Sequence, residues 1–139
     1  MTTRRWILAA GAVAGLAGCM QAPASRFRSY EGPEVTRLVV QKKARRLYLM
    51  HDDQVLRRYR VALGFAPEGH KQQEGDGRTP EGRYRIDRRN PNSAFHLSLG
   101  ISYPDANDHL RASTKGVLPG SDIFIHGRGR SYNGRPGDW

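Results

Sequence analysis

Apolar and polar residues alternate along most of this chain with a period of two, the spacing of β-strands with one covered face. In the first half, this alternation predicts three consecutive strands joined by short polar turns, which is typical of an antiparallel meander. The predicted strands are Thr36–Val40, a segment in which Leu47 and Leu49 share the face opposite Met50, and Val55–Leu63.

The second half of the chain predicts three further strands. Tyr84 and Ile86 alternate with charged residues in the first of them, and Ser121–His126 forms the last, a strand expected to be buried. Between them, Phe95–Tyr103 alternates without a break, so its two faces are expected to differ. The expected core face carries Phe95, Leu97, Leu99, Ile101 and Tyr103, and the expected solvent or groove face carries His96, Ser98, Gly100 and Ser102.

The polar stretches predict an exposed turn, one long loop and one helix. The turn is Lys42–Arg45, and the loop is Gly64–Thr79, which has four glycines and almost no apolar side chain. Loops of this length in compact domains are usually functional or mobile. Asp105, after Pro104, is a suitable helix cap and Gly116 a suitable stop. The pattern favours a mainly β fold, a single β-rich domain with one short helix.

The N-terminal segment has the composition of an export signal. Arg4 and Arg5 precede the uncharged stretch Trp6–Gly18, which is too short to cross a bilayer of about 30 Å as a helix. The motif Leu16–Cys19 resembles the bacterial lipobox, in which the cysteine thiol receives a lipid. An ordinary secretory signal, or a buried helix with an incidental cysteine, is the alternative. The arginine pair also resembles a twin-arginine signal.

These features divide the chain into three parts. We expect a lipoprotein signal peptide at residues 1–18, a tether at 19–33 and one domain at 34–139. Export would place that domain in the periplasm or against the cell wall, anchored to a membrane through the lipid on Cys19.

The amino-acid composition excludes several classes of protein. The 139 residues carry 23 Lys+Arg against 13 Asp+Glu, a formal net charge of +10, and 37% of them are hydrophobic. The scattered apolar residues exclude a multi-span membrane protein, and a single cysteine excludes a disulfide within this chain. Nineteen of the basic residues are arginines, spread over outward strand positions and turns. Such a surface suits anionic lipid head groups or peptide carboxylates better than nucleic acid.

His126 is the side chain most indicative of chemistry. It ends the apolar run Ile123–Ile125 and is followed at once by Gly127. A strand would hold the imidazole rigidly, while the glycine would let a ligand approach the backbone closely. On these residues alone, a strand-end histidine bonded to a nearby carbonyl is the commoner explanation.

Three segments, taken in their order along the chain, favour a catalytic role for His126 over this explanation. Gly77–Tyr84, which contains Thr-Pro-Glu-Gly, then Asn90–Pro104 and then Ile123–Gly127 resemble the L,D-transpeptidase catalytic domain of the YkuD type. The resemblance extends from about Val35 to Trp139. It implies a β-rich, sandwich-like domain that needs no cofactor. In that family a cysteine thiolate attacks a peptidoglycan stem peptide, expels the terminal D-alanine and passes the acyl group to an amine or to water.

The resemblance also implies roles for individual residues. His126 matches the family's general base and acid, and Gly127 would allow close backbone approach. The sequence departs from the family at the nucleophile. The family's Ser/Thr-x-Gly-Cys segment is absent, and only 13 residues follow His126. Cys19 precedes the domain and would carry lipid, so it is no substitute. We expect a fragment whose C-terminal part is missing; a naturally truncated relative is the alternative.

Other polar residues carry weaker signals. His96, on the predicted polar face, and Arg128, in the glycine-rich end, are candidates for substrate binding; solvent exposure is the alternative for both. No histidine pair has metal-ligand spacing with a third ligand, so no metal site is expected. Turn, loop, helix-surface and helix-start positions are expected for His51, His70, His109, Asp105 and Asp108.

The sequence thus predicts an exported, lipid-anchored domain that acts on peptidoglycan stem peptides by Cys/His acyl transfer. One rival is a non-catalytic cell-wall-binding lipoprotein that keeps the groove without the thiol. A second is a basic nucleic-acid-binding domain, against which the export signal argues. Crosslinking, lipoprotein attachment and stem hydrolysis all remain open as outcomes of the reaction.

Overall fold

The computed structural model describes residues 27–129, which form two three-stranded antiparallel sheets and one helix. The predicted mainly β fold with one short helix is therefore confirmed. The predicted signal peptide and Cys19 lie outside the described residues. The elements are β1 (Arg37–Gln41), β2 (Arg46–His51), β3 (Gln54–Arg60), β4 (Ile86–Asn90), β5 (Ser98–Ile101), α1 (Ala106–Thr114) and β6 (Phe124–His126).

The first sheet is the predicted meander, with β2 as its central strand. Leu47 and Met50 lie on opposite faces of β2, and both are buried. The pairing of β2 with β3 shifts after Leu49, where Leu56 of β3 has no partner and forms a bulge. β3 ends at Arg60, so the third strand is shorter than the sequence pattern suggests.

The second sheet has β5 at its centre, and this strand is shorter than predicted. His96 adopts a φ of 76°, and the Leu97 N–H donates to the Phe95 carbonyl oxygen at 3.1 Å. This tight turn ends the extended backbone, so Phe95 and His96 lie outside the strand. Phe95 is 49% exposed, and its predicted place in the core is wrong.

The buried face of β5 is also the opposite of the predicted one. Ser98 and Gly100 are buried, while Leu99 and Ile101 are half-buried. The absence of a side chain at Gly100 explains the reversal, because the Arg88 guanidinium and the Phe124 ring occupy the space that a Cβ would need. Alternation identifies two faces, but packing decides which of them is covered.

The last strand, β6, contains only the final three residues of the predicted segment. Phe124 and Ile125 are half-buried and His126 is exposed, so the expectation of a fully buried strand is wrong. β6 is an edge strand that pairs with β5 alone, which leaves its other edge unpaired among the described residues.

The helix begins and ends where the sequence predicts. The Asp105 carboxylate accepts the Asp108 N–H at 2.8 Å, and the Asp108 carboxylate accepts the Asp105 N–H at 2.9 Å. This reciprocal pair is a capping box, which satisfies two donors at the helix N-terminus. Gly116, with a φ of 67°, follows the last turn and permits the left-handed stop. Within residues 27–129, no helix is long and apolar enough to cross a bilayer.

The long loop is held by a buried ion pair. The Lys71 ammonium lies 3.0 Å from the Asp76 carboxylate, and both side chains are largely covered. Burial alone would raise the pKa of Asp76. Hydrogen bonds from the backbone N–H groups of Gln72, Arg78 and Gln73 and from Lys71 instead hold that pKa well below its usual value. The loop is therefore built around a charged carboxylate.

Lys42 ties the same loop to the first sheet. Its ammonium donates to the carbonyl oxygens of Gly69 and Thr79 and to the carboxylate of Glu81. The Lys42 side chain is only 13% exposed, so the predicted exposed turn is wrong at this residue. A four-carbon stem lets an ammonium reach across to loop carbonyls that local sequence does not reveal.

Candidate active site

An open cleft of about 1370 Å³ runs between the two sheets. Residues 79–86, which lead into β4, line it as well. His126 and Gly127 lie in its wall at the end of β6. The cleft is a concave surface around a candidate catalytic side chain, the kind of place where small molecules and peptides bind. Its apolar lining includes Leu38, Val40, Leu47, Leu63, Ile86, Ile101, Ile123 and Ile125.

The imidazole of His126 has a defined tautomer. Its Nδ1 lies 2.8 Å from the Gly127 carbonyl oxygen. A carbonyl oxygen only accepts hydrogen bonds, so in the neutral imidazole Nδ1 carries the proton and Nε2 keeps a free lone pair. The ring also lies against Phe95, with ring centroids 4.5 Å apart. A fixed ring with a basic Nε2 is what a general base requires.

Gly127 keeps β6 close to the turn that carries Phe95. Its N–H donates to the Leu97 carbonyl oxygen at 3.1 Å. A Cβ at this position would lie 2.8 Å from the Phe95 carbonyl oxygen, closer than real Cβ contacts allow. Glycine at position 127 therefore permits the approach that brings Phe95 onto the His126 ring. The predicted contact of Gly127 with a ligand stays a prediction.

The two predicted binding residues lie in different surroundings. Arg128 is half-buried and lines the cleft beside His126. His96 is exposed in the turn before β5 and is not part of the cleft lining within residues 27–129. The His96 side chain lies beside Gly127, which lines the cleft, although β5 itself starts two residues later. The contact of His96 with substrate stays a prediction.

The cleft is strongly cationic over its described part. Its one acidic side chain, Glu81, is 2.8 Å from the Lys42 ammonium. That hydrogen bond is the main reason why the pKa of Glu81 lies below its ordinary value, so Glu81 is a carboxylate already paired with a cation. The excess positive charge favours ligands with free carboxylates. The cationic lining residues are Arg37, Lys42, Arg60, Arg83, Arg85 and Arg128.

A buried polar cluster, which the sequence does not reveal, joins the loop to the helix. The Asp108 carboxylate, only 1% exposed, accepts hydrogen bonds from His70 Nε2 at 2.9 Å and from the Tyr84 hydroxyl at 3.0 Å. Arg111 donates to the same carboxylate. His70 Nδ1 in turn accepts the Glu81 N–H at 2.9 Å. The cluster therefore positions residues 70–84, whose last part lines the cleft.

The cluster shifts the acidity of its members. Burial would raise the pKa of Asp108, but hydrogen bonds from the Asp105 backbone, Tyr84, Arg111 and His70 together hold it below its ordinary value. Burial and the nearby Asp108 carboxylate raise the pKa of Tyr84, and burial raises that of Tyr103 to about 12. Asp108 is thus a permanent acceptor, and both tyrosines remain neutral donors near pH 7.

The spacing of these residues along the sequence does not predict this cluster. His70 precedes Asp108 by 38 residues, and both match ordinary loop and helix-start positions. Among the described residues, no group of three or more His, Cys, Asp or Glu side chains has the arrangement of a metal site.

Comparisons with known proteins show the family of the chain. The model of the L,D-transpeptidase catalytic domain family, YkuD, matches residues 35–139. The chain belongs to this family. As a YkuD-type domain, it carries both His126 and the cationic cleft inside the matched range. L,D-transpeptidases act on peptidoglycan peptides, which supports a transpeptidase-like role in general terms.

Two curated relatives extend the comparison. The proteins named "Putative L,D-transpeptidase YafK" in Escherichia coli strain K12 and in E. coli O157:H7 are each 30% identical to this chain over 76 residues. The matched segment covers 53% of this chain and 29% of each relative, so the chain spans less than a third of their length. No solved structure matches the chain.

Proposed function

We propose that this domain transfers acyl groups of peptidoglycan stem peptides through a cysteine thioester, with His126 as general base and acid. The observation that carries the proposal is the geometry of His126. Its Nδ1–H is held by the Gly127 carbonyl, so its Nε2 is free to take a proton within a cationic cleft. The YkuD family match supports the same chemistry.

The proposed reaction has two steps with His126 as the proton carrier. Nε2 takes the thiol proton, the thiolate attacks the peptide carbonyl carbon, and the C–N bond to the terminal D-alanine breaks. The imidazolium returns the proton to the departing amine. An acceptor amine, or water, then attacks the thioester, loses its proton to Nε2 and releases the thiol.

The cleft cations would hold the substrate during both steps. Stem peptides present free carboxylates, and Arg83, Arg85 and Arg128 line the cleft on the side of residues 79–86 and β6. Guanidinium groups bind carboxylates in a bidentate manner, which fixes orientation as well as adding affinity. Contacts of this kind would place the scissile carbonyl beside Nε2 of His126. They would also explain why arginines line the cleft.

The nucleophile is the part of the proposal that the sequence of residues 1–139 does not supply. The proposal therefore requires a cysteine in polypeptide encoded downstream of codon 139. We expect the DNA there to continue the reading frame through Ser/Thr-x-Gly-Cys. The extended protein, mixed with a stem tetrapeptide, should gain the mass of the acyl group and release one D-alanine, measured by mass spectrometry. A natural stop codon directly after Trp139 would contradict enzymatic activity for this polypeptide.

A stop codon directly after Trp139 would favour a second function, that of a wall-binding lipoprotein. The cationic residues that line the cleft within residues 27–129 do not depend on a thiol, and they support peptide binding by themselves. Binding of a stem tetrapeptide by the 139-residue chain, measured by calorimetry, together with a stop codon after Trp139, would establish this second function.

We also propose that the domain is exported and lipid-anchored. The support is the ordered N-terminal pattern of Arg4 and Arg5, an uncharged stretch and the Leu16–Cys19 motif. Metabolic labelling with radioactive palmitate should label the full chain, and Cys19→Ser should abolish the label. Persistence of the label in that variant would exclude Cys19 as the lipid acceptor, and a wholly cytoplasmic, unlabelled protein would favour the nucleic-acid alternative.

A further inference from the structure

The outer face of the first sheet concentrates arginines in an unusual register. Arg46 of β2 lies directly opposite Arg60 of β3, and Arg58 lies directly opposite Tyr48. Strand residues two apart point to the same side, so all four side chains share one face. Leu47, between Arg46 and Tyr48, lines the cleft. This arginine face, defined by Arg46, Arg58 and Arg60 with Tyr48 among them, therefore lies on the side of the sheet opposite Leu47, with Arg60 also at the edge of the cleft.

The register of the arginine face is unfavourable for the isolated domain. Like charges directly opposite each other on paired strands destabilise a sheet. Among residues 27–129, no acidic side chain forms an ion pair with Arg46, Arg58 or Arg60, although six pairs between Lys or Arg and Asp or Glu occur in that part of the chain. An anionic partner outside the domain would remove this repulsion.

The shape of the face distinguishes kinds of partner. Arg46, Arg58, Tyr59 and Arg60 surround a shallow, open depression of about 290 Å³. Arg58 and Arg60 are exposed, and Arg46 is half-buried, so the depression is open to a partner that covers the whole face. Several cations on one exposed sheet face can contact several phosphates at once, as on a bilayer. Tyr48 is a side chain typical of the membrane interface.

We propose that the arginine face docks onto the anionic surface of a phospholipid bilayer. Guanidinium groups bind lipid phosphates bidentately and are weakly hydrated, so arginine suits a partly desolvated phosphate surface better than lysine does. Arg60 also belongs to the cleft lining, which places one edge of the cleft next to the docked face. Docking through the opposite face leaves the rest of the cleft open.

Vesicle flotation tests this proposal on the 139-residue chain. Binding is measured to vesicles of phosphatidylcholine alone and to vesicles with one third phosphatidylglycerol. The apolar stretch Trp6–Gly18 is common to all variants, so the difference between the two vesicle types isolates the electrostatic contribution. Each arginine near an anionic surface contributes about fivefold in binding. Arg46→Gln/Arg58→Gln should therefore weaken binding to anionic vesicles by about 10- to 30-fold, and 0.5 M salt should weaken it for the native chain.

A matched variant removes the same charge elsewhere. Arg89→Gln/Lys115→Gln changes an exposed arginine of β4 and an exposed lysine at the end of α1, which belong neither to the arginine face nor to the cleft lining. We expect less than about a threefold loss with this variant, because distant surface charges are largely screened. Equal losses in both variants, or equal binding of the native chain to both vesicle types, would overturn the proposal.

Two further measurements would detect a different anionic partner. Displacement by millimolar inorganic phosphate at constant ionic strength would reveal a small-anion site, which contradicts docking on a membrane. Tighter binding to duplex DNA than to anionic vesicles at 0.15 M salt would assign the arginine face to nucleic acid and would also reject the proposal.

Discussion

Asp108→Ala is expected to lower the free energy of unfolding of this chain by about 3–5 kcal/mol, the typical effect of breaking a buried charged pair. The substitution removes one acceptor and leaves the donors of His70, Tyr84 and Arg111 without it. It also removes half of the capping box of α1. Because small domains are stable by about 5–15 kcal/mol, this loss approaches complete unfolding.

Urea denaturation followed by circular dichroism measures this effect, and a graded variant keeps the test decisive. Tyr84→Phe removes a single hydrogen bond to Asp108 and keeps the ring, so it should cost about 1 kcal/mol. If Asp108→Ala does not fold at all, Tyr84→Phe still reports on the cluster. A loss below about 1 kcal/mol for Asp108→Ala would show that the cluster contributes little to stability.

Low pH should reduce the contribution of the Asp108 carboxylate to the free energy of unfolding. The folded-state pKa of Asp108 lies below its ordinary value of 3.8, so its stabilising effect is complete above that value. The effect is lost as the pH falls through the folded-state pKa. The difference in stability between the native chain and Asp108→Ala should therefore be constant from pH 5 to pH 7 and should shrink below about pH 4. A constant difference down to pH 2 would contradict a charged Asp108.

His126→Ala is expected to reduce acylation of the downstream-extended protein by a stem tetrapeptide by about 10²- to 10⁴-fold, the usual contribution of a general base. The reason is the tautomer of His126, which leaves Nε2 as a proton acceptor in the cleft wall. Without that acceptor, the thiol stays largely protonated near pH 7, and the neutral thiol is a poor nucleophile. Stopped-flow measurement of thioester formation by mass or by fluorescence gives the rate directly.

A second histidine variant controls for general effects on the protein. His109→Ala changes an exposed residue of α1 outside the cleft lining, so acylation should remain within about twofold of the native rate. Raising the pH should partly restore acylation in His126→Ala, because hydroxide generates the thiolate without a base. Native acylation by His126→Ala near pH 7 would show that another group activates the thiol.

The elements that sequence patterns predicted correctly are those that depend on neighbouring residues. The three-strand meander follows from period-two alternation with short polar turns. The limits of α1 follow from Asp105 and Gly116, because a cap and a stop act within a few residues of the helix end. His126 at the end of a short strand belongs to the same class of local signals.

The errors arose where packing between distant segments decides the outcome. Alternation divided β5 into two faces, but the Arg88 side chain and the Phe124 ring determined that the face of Gly100 is covered. The turn at His96 shortened the strand, and Gly127, 31 residues further along the chain, packs against this turn. The sequence predicts an exposed turn at Lys42, but its contacts with the long loop lie 27 and 37 residues further along the chain.

The amino-acid sequence was enough to predict the family, the mainly β character, the position of the helix and His126 as the candidate base. These depend on motif order and on contacts within a few residues, which the order of the residues records directly. The hydrogen bond between His70 and Asp108 and the register that sets Arg46 opposite Arg60 became visible only in the folded chain. Both require atoms from separate segments to meet, and spacing along one chain does not encode such contacts in a readable form.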